Sequence, residues 1–175
     1  MRLAVIGAGA VGSSVIELAG DYGHTVTAYA DSQSAAVDAD GIDVDAALER
    51  KETDGIVGDD DPAAALEGAY DVLVEATPTT LGDAQPGFGH VETALENDRH
   101  VVLANKGPVA ERYADVRTLE RDSAGTVLFE ATVGGAMPVL STIADFDPEH
   151  ITAVRGVLNG TANFILSRIG AEGLG

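Results

Sequence analysis

Gly7-Ala8-Gly9-Ala10-Val11-Gly12 narrows what this chain can fold into more than any other stretch. An apolar run, residues 2–6, leads straight into it, and residues 11–22 follow with helical spacing of apolar positions. The context is therefore strand, glycine turn, helix, which the G-x-G-x-x-G pattern requires before it means anything. Gly7 permits the tight turn, Gly9 lets a pyrophosphate approach the backbone, and Gly12 lets the helix pack close to the strand. The helix then offers free N–H groups and the positive end of its dipole to phosphates, with Ala10 and Val11 in its first turn. Three glycines in an ordinary turn are the bland alternative, but the flanking elements favour a dinucleotide site.

Residues 24–30 form a second expected strand, ending at Asp31. An acidic residue about 20 positions beyond the glycine motif can bind the hydroxyls of the adenine ribose. A carboxylate there repels a 2′-phosphate, and no arginine or lysine follows closely in sequence. Ser32 and Ser34 offer hydroxyls to a phosphate, so the reading leans to NAD over NADP without excluding the latter. Asp31 also suits a helix cap or turn.

The alternation continues. Residues 70–75 read as a strand, followed by Ala76-Thr77-Pro78-Thr79-Thr80, whose hydroxyls and backbone suit the nicotinamide side of a cofactor. A helix is expected over residues 88–98, with His90 pointing outward, then a strand over 100–104. At the end of that strand Val101-Val102-Leu103-Ala104 stops abruptly at Asn105-Lys106, and Gly107-Pro108 turns the chain ahead of a helix over residues 109–123. Lys106 is one of two lysines, and an ammonium after a core strand is expensive unless something needs it. The other, Lys51, falls in an acidic, solvated helix over residues 44–52. A last strand spans residues 126–130. Asp31, Thr77, Asn105, Lys106 and Glu130 all stand at strand ends, the edge where open α/β sheets bind ligands. The fold class predicted is α/β: a Rossmann-type doubly wound parallel sheet over residues 1–130, followed over 131–175 by the start of an α+β catalytic or dimerisation domain.

That second part opens with a small-residue turn, Ala131-Thr132-Val133-Gly134-Gly135-Ala136-Met137-Pro138, and a helix to about residue 143. A strand over residues 151–158 and a helix capped by Asn159-Gly160-Thr161 follow. A strand and two helices are too little for an independent domain. Their apolar faces need covering, which points to a homodimer.

Composition excludes several classes. Without cysteine there is no thiolate catalysis, disulfide or cysteine metal site. His24, His90, His100 and His150 show no metal-ligand spacing. Twenty-nine acidic against 10 basic residues give a net charge of −19, which argues against nucleic acid and anionic membranes. Such an excess in a lysine-poor chain suits high salt, where screening relieves self-repulsion. No apolar run approaches a spanning helix, and a soluble cytoplasmic protein is expected.

Five stretches together resemble the homoserine dehydrogenase family: Gly7-Ala-Gly-Ala-Val-Gly12, Glu75-Ala-Thr-Pro-Thr79, His100-Val-Val-Leu-Ala-Asn-Lys-Gly-Pro108, Phe129-Glu-Ala-Thr-Val-Gly-Gly135 with Met137-Pro138, and Asn159-Gly-Thr-Ala-Asn-Phe-Ile-Leu166. The resemblance implies an enzyme that interconverts L-aspartate 4-semialdehyde and L-homoserine by hydride exchange with NAD(P). It implies that Gly7, Gly9, Ala10, Val11, Gly12, Thr77 and Pro78 hold the cofactor. Lys106 would lie between nicotinamide and substrate, with Asn159, Gly160 and Thr161 near the substrate. Glu130, Val133, Gly135 and Met137 match the family's monovalent-cation loop, whose usual ion is sodium, and a small-residue loop exposes carbonyls suited to a hard cation. The family's chain runs on beyond this point with substrate-binding acidic residues, a second lysine that donates a proton, and a closing helix. None of these can be placed here, so the resemblance implies a chain that binds cofactor but turns over slowly or not at all by itself. The alternative is a non-catalytic dinucleotide-binding fragment, or a subunit completed by another chain. A third reading, another small dehydrogenase, explains the glycine turn but not the Asn-Lys-Gly-Pro and Asn-Gly-Thr stretches.

Overall fold

The computed structural model describes residues 1–146, 151–153, 155–157 and 159–172. The chain divides into two compact units, Met1–Thr132 and Val133–Gly175.

The first unit is built on a six-stranded sheet. Its strands are β1 (Arg2–Ile6), β2 (Thr25–Ala30), β3 (Ala35–Val37), β4 (Val72–Glu75), β5 (His100–Leu103) and β6 (Val127–Leu128), in the order β3-β2-β1-β4-β5-β6. All neighbours run parallel except β3, which pairs antiparallel with β2. The inner strands are mostly apolar because both faces are covered, with Thr27 and Glu75 as their buried polar residues. Alternate residues feed opposite cores. Ala4 and Ile6 of β1 join Leu73, Phe88, Val91, Leu95 and Val101 on one face. Leu3 and Val5 join Ile16, Val26, Tyr29 and Val74 on the other.

The helices divide accordingly. α1 (Ala10–Ala19) and α2 (Val44–Thr53) cover the second face through Ile16, Ala19 and Ala47. α3 (Ala64–Glu67), α4 (Gly87–Glu96) and α5 (Gly107–Arg121) cover the first through Ala65, Val91 and Val116. β1 and β4 are neighbours, and the helices that follow them leave to opposite sides. That opens a crevice at their carboxyl ends, the topological switch point of a doubly wound sheet.

Several boundaries differ from the sequence expectation. β3, at residues 35–37, has no counterpart among the expected elements; it is a three-residue edge strand without alternation. Gly107-Pro108 does not turn the chain ahead of a helix but forms the first turn of α5, with Pro108 at its start and Lys106 as N-cap. Proline suits that position because its missing N–H has no partner to lose there. The last strand is only Val127–Leu128, and Glu130 falls in a 3₁₀ turn, Glu130–Thr132, rather than at a strand end.

In the second unit, a turn over residues 133–137 leads into α6 (Val139–Asp145), and α7 spans Gly160–Glu172. Asn159 Oδ1 accepts the Ala162 N–H at 2.8 Å and so caps α7. The described residues of the expected strand over 151–158 carry no strand; Val154 and Leu158 lie outside the described residues, as does His150. Phe164, Ile165, Leu166 and Ile169 of α7 are exposed.

Candidate functional site: a cleft at the carboxyl edge of the sheet

Gly7, at the end of β1, has φ +115°, a conformation that L side chains rarely adopt. A Cβ there would lie 2.4 Å from the Ala76 carbonyl group, so the turn after β1 rests directly on the turn after β4. At Gly12 an added Cβ would stand 1.9 Å from Gly7 O, so α1 is as close to the β1 turn as a helix can come. Gly9 is different: nothing lies within 4 Å of its Cβ position. It is the N-cap of α1, makes no side-chain cap, and looks into open space. Packing does not call for glycine at Gly9, whereas a ligand that must touch the backbone at the helix N-terminus does.

That open space is a cleft of about 610 Å³. Gly7, Gly9, Ala10 and Val11 form one wall, Asp31 and Ser32 another, and Thr77 and Pro78 a third. Gly12 lies buried beneath it. The structure thus brings the expected cofactor residues around one cavity, with Lys106 as the exception. Lys106 is exposed on the adjacent turn, its backbone N–H donating to Thr79 Oγ1 at 3.3 Å.

Asp31 is not the isolated carboxylate that its sequence neighbours suggest. Its Oδ1 accepts the backbone N–H groups of Gln33 (2.7 Å) and Ser34 (2.9 Å). Its Oδ2 lies 2.6 Å from Lys51 Nζ, which also donates to Gly55 O. A lysine therefore does stand beside Asp31, and Lys51 is not a purely solvated charge: α2 docks on the sheet face and delivers it. Burial alone pushes the Asp31 carboxyl up, but Lys51 and the two N–H groups outweigh burial and hold it below the usual range.

A second constellation went unread in the sequence. Glu75 ends β4 with a side chain that is 0% exposed. Its Oε1 accepts from Thr77 N (3.0 Å), Thr77 Oγ1 and Asn105 Nδ2 (3.3 Å); its Oε2 lies 2.5 Å from His90 Nδ1. Asn105 in turn donates to Thr77 Oγ1 at 3.0 Å and accepts the Gly107 N–H at 2.9 Å. Burial pushes the Glu75 carboxyl up, yet the bonds from His90 and Thr77 prevail and hold it below the ordinary range. His90 does not point outward. It sits on Glu75 with 18% of its side chain exposed and joins the wall of a second cavity of about 400 Å³, bordered also by Asp31, Ser32 and Thr77. The signal that could have found it is Glu75 itself: a carboxylate closing an apolar strand needs partners.

The remaining expected site residues are distributed between the units. Glu130 belongs to the first, and Val133, Gly135, Met137, Asn159, Gly160 and Thr161 to the second. Among the described residues no three His, Cys, Asp or Glu side chains cluster as metal ligands do. Nor is any helix among them long and apolar enough to cross a membrane.

Comparison with known proteins agrees with this geometry. The family model for Glutamate/Leucine/Phenylalanine/Valine dehydrogenase matches residues 1–78, which hold the glycine turn, Asp31 and the Thr77 loop. The homoserine dehydrogenase of Methanocaldococcus jannaschii is 34% identical over 99% of this chain and 57% of its own length. A solved Archaeoglobus fulgidus structure, described provisionally as a homoserine dehydrogenase, superposes with a TM-score of 0.78 at 31% identity, over 98% of this chain and 55% of that one. A hyperthermophilic archaeal homoserine dehydrogenase in complex with NADPH shares the fold, with a TM-score of 0.67 at 22% identity over 81% of this chain and 47% of that one. The chain spans about half the length of these relatives.

Proposed function

We propose that this chain, a homologue of the homoserine dehydrogenases over its whole length, is the dinucleotide-binding amino-terminal part of such an enzyme. The reaction is the interconversion of L-homoserine and L-aspartate 4-semialdehyde with NAD(P). The observation that carries the cofactor reading is Gly9, whose side-chain space is empty and opens on the cleft at the start of α1. Gly7, Gly9, Ala10 and Val11 hold the pyrophosphate, Gly12 keeps the helix close, and Thr77 and Pro78 hold the nicotinamide end. The nicotinamide supplies or receives the hydride. Lys106 offers positive charge to the oxygen that becomes an alkoxide, a task for a fixed cation near the reacting carbon. By the family resemblance alone, Asn159, Gly160 and Thr161 would belong to the substrate side, and Glu130, Val133, Gly135 and Met137 would hold a sodium ion.

Asp31 favours an unsubstituted ribose and so NAD. Lys51 tempers that lean, because its ammonium offsets the repulsion a 2′-phosphate would meet. The exposed apolar side chains of α7 support a homodimer, and a cytoplasmic setting suits a chain without cysteine.

The test is homoserine-dependent reduction of NAD and NADP by the purified chain in molar potassium chloride, together with fluorescence titration of NADH and NADPH. The expected result is saturable nucleotide binding with slow or no turnover, since Lys106 alone supplies charge but no second proton donor is placed. Failure of the folded chain to bind either nucleotide overturns the reading. Normal turnover overturns the part that calls the chain slow alone.

A further inference from the structure

Asn105 is 1% exposed, yet both polar atoms of its side chain are bonded. Its amide NH₂ donates to Glu75 Oε1 (3.3 Å) and Thr77 Oγ1 (3.0 Å), and its Oδ1 accepts the Gly107 N–H (2.9 Å). Its backbone N–H donates to Glu75 O at 3.2 Å. Two glycines make room for it. A Cβ at Gly87, the first residue of α4, would lie 2.4 Å from Asn105 Nδ2, and one at Gly107 would lie 3.2 Å from Asn105 Oδ1. The amide therefore has one orientation. Reversed, it would set an oxygen against the Glu75 carboxylate and an NH₂ against the Gly107 N–H.

What this network fixes is the turn that carries Lys106. The N–H groups on either side of the Lys106 α-carbon are both held from the loop after β4. Thr79 Oγ1 accepts that of Lys106 at 3.3 Å, and Asn105 Oδ1, itself seated on Glu75 and Thr77, accepts that of Gly107. The Lys106 side chain is exposed, so its backbone decides where it starts. A fully satisfied buried network holds one geometry. We propose that Asn105 is a positioning residue for the hydride step: it ties the start of α5 to the Thr77–Thr79 loop, so that the Lys106 ammonium is placed relative to the wall of the cofactor cleft. The proposal rests on the roles given above to Lys106 and Thr77.

The two sides of the tie are unequal. Without Asn105, Thr77 keeps two bonds to Glu75, through its N–H and its hydroxyl. The N–H groups flanking Lys106 are left with Thr79 alone. Removing the Asn105 amide should therefore release the lysine turn while the cleft wall stays in place.

The chain has two lysines, which makes the effect readable. Labelling with ¹⁵N-lysine gives one backbone amide resonance for Lys106 and one for Lys51, which stands on α2 and serves as the control. The resonance lost in Lys106→Ala identifies the first. In Asn105→Ala the Lys106 resonance is expected to leave its wild-type position and that of Lys51 to keep its own, with NADH affinity within about threefold of wild type.

Asn105→Asp keeps the shape but puts an oxygen where Nδ2 stood, against Glu75 Oε1. Two carboxyl groups this close hold one proton between them, and that proton restores the bond. Lys106 in Asn105→Asp should therefore match wild type near about pH 5 and depart from it near about pH 7.5. His90, on the other oxygen of Glu75, and the Lys106 ammonium are the remaining titratable groups beside the pair, so each spectrum is compared with wild type at the same pH. A Lys106 resonance unmoved in Asn105→Ala, an equal displacement of Lys51, or an Asn105→Asp spectrum whose relation to wild type does not change with pH overturns the inference. Where Asn105→Ala does not fold, the pH comparison on Asn105→Asp decides alone. Failure of the wild-type chain to bind NADH overturns the cofactor reading instead and leaves the lysine spectra standing.

Discussion

Lys51 Nζ stands 2.6 Å from Asp31 Oδ2, although 20 residues separate them in the chain. The two side chains are 30% and 14% exposed, so the pair sits at the rim of the cleft rather than in open solvent. It joins the residue expected to meet the ribose hydroxyls to a cation that no neighbouring sequence supplies. Lys51→Met is expected to weaken NADPH binding about tenfold while changing NADH by less than about threefold, because only the 2′-phosphate gains from the ammonium. Parallel fluorescence titrations check it; equal losses for both nucleotides would assign Lys51 a purely structural role.

Gly9 and Gly12 should separate binding from folding. Gly12→Ala places a methyl group 1.9 Å from a backbone oxygen and is expected to destabilise the protein by about 3 kcal/mol. Gly9→Ala meets nothing within 4 Å. Its melting temperature should stay near wild type while nucleotide affinity collapses. A Gly9→Ala protein that still binds would remove the main support for the cofactor reading.

The Glu75 carboxyl predicts a pH effect. Its folded value lies below the ordinary 4.5, so the folded state binds this proton less readily than the unfolded chain does. The resulting stability is fully present above the ordinary value and drains away as pH falls through the depressed one. Melting temperatures should therefore drop on acidification below about pH 4.5, and Glu75→Gln should flatten that part of the curve. An unchanged acid limb in the variant would mean that His90 and Thr77 do not hold the charge.

Lys106→Ala is expected to leave nucleotide affinity within about threefold, since Lys106 lies outside the main cleft and meets the Thr79 loop through its backbone N–H. Any homoserine-dependent rate the chain shows should vanish. Binding and initial-rate measurements on one preparation decide this, and a surviving rate would take the lysine out of the chemistry.

Much of the frame was legible because burial writes directly into composition. The runs at 3–6, 72–74 and 101–103 are continuous in apolar residues because helices cover both sheet faces, and the glycine motif has a spatial reason at each position. What escaped was set by tertiary placement. Ala35–Val37 is a strand only because Asp60 and β2 flank it. Lys51 looked solvated because its partner depends on how α2 docks. His90 sits among polar neighbours in sequence, and only the end of β4 reveals why it turns inward. The described residues of the expected strand over 151–158 form no strand, since an apolar run does not by itself make one.

The sheet is closed by a carboxylate at both margins. Beyond β3, Ala35 exchanges backbone hydrogen bonds with Asp60 at 2.8 and 2.9 Å, and the Asp60 carboxylate takes the Val37 N–H at 3.0 Å. Beyond β6, the Glu120 carboxylate of α5 takes the Val127 N–H at 2.8 Å. A bare edge N–H is a template for stray pairing, so part of the chain's acidic excess also ends the sheet, well away from the cleft at the junction of β1 and β4.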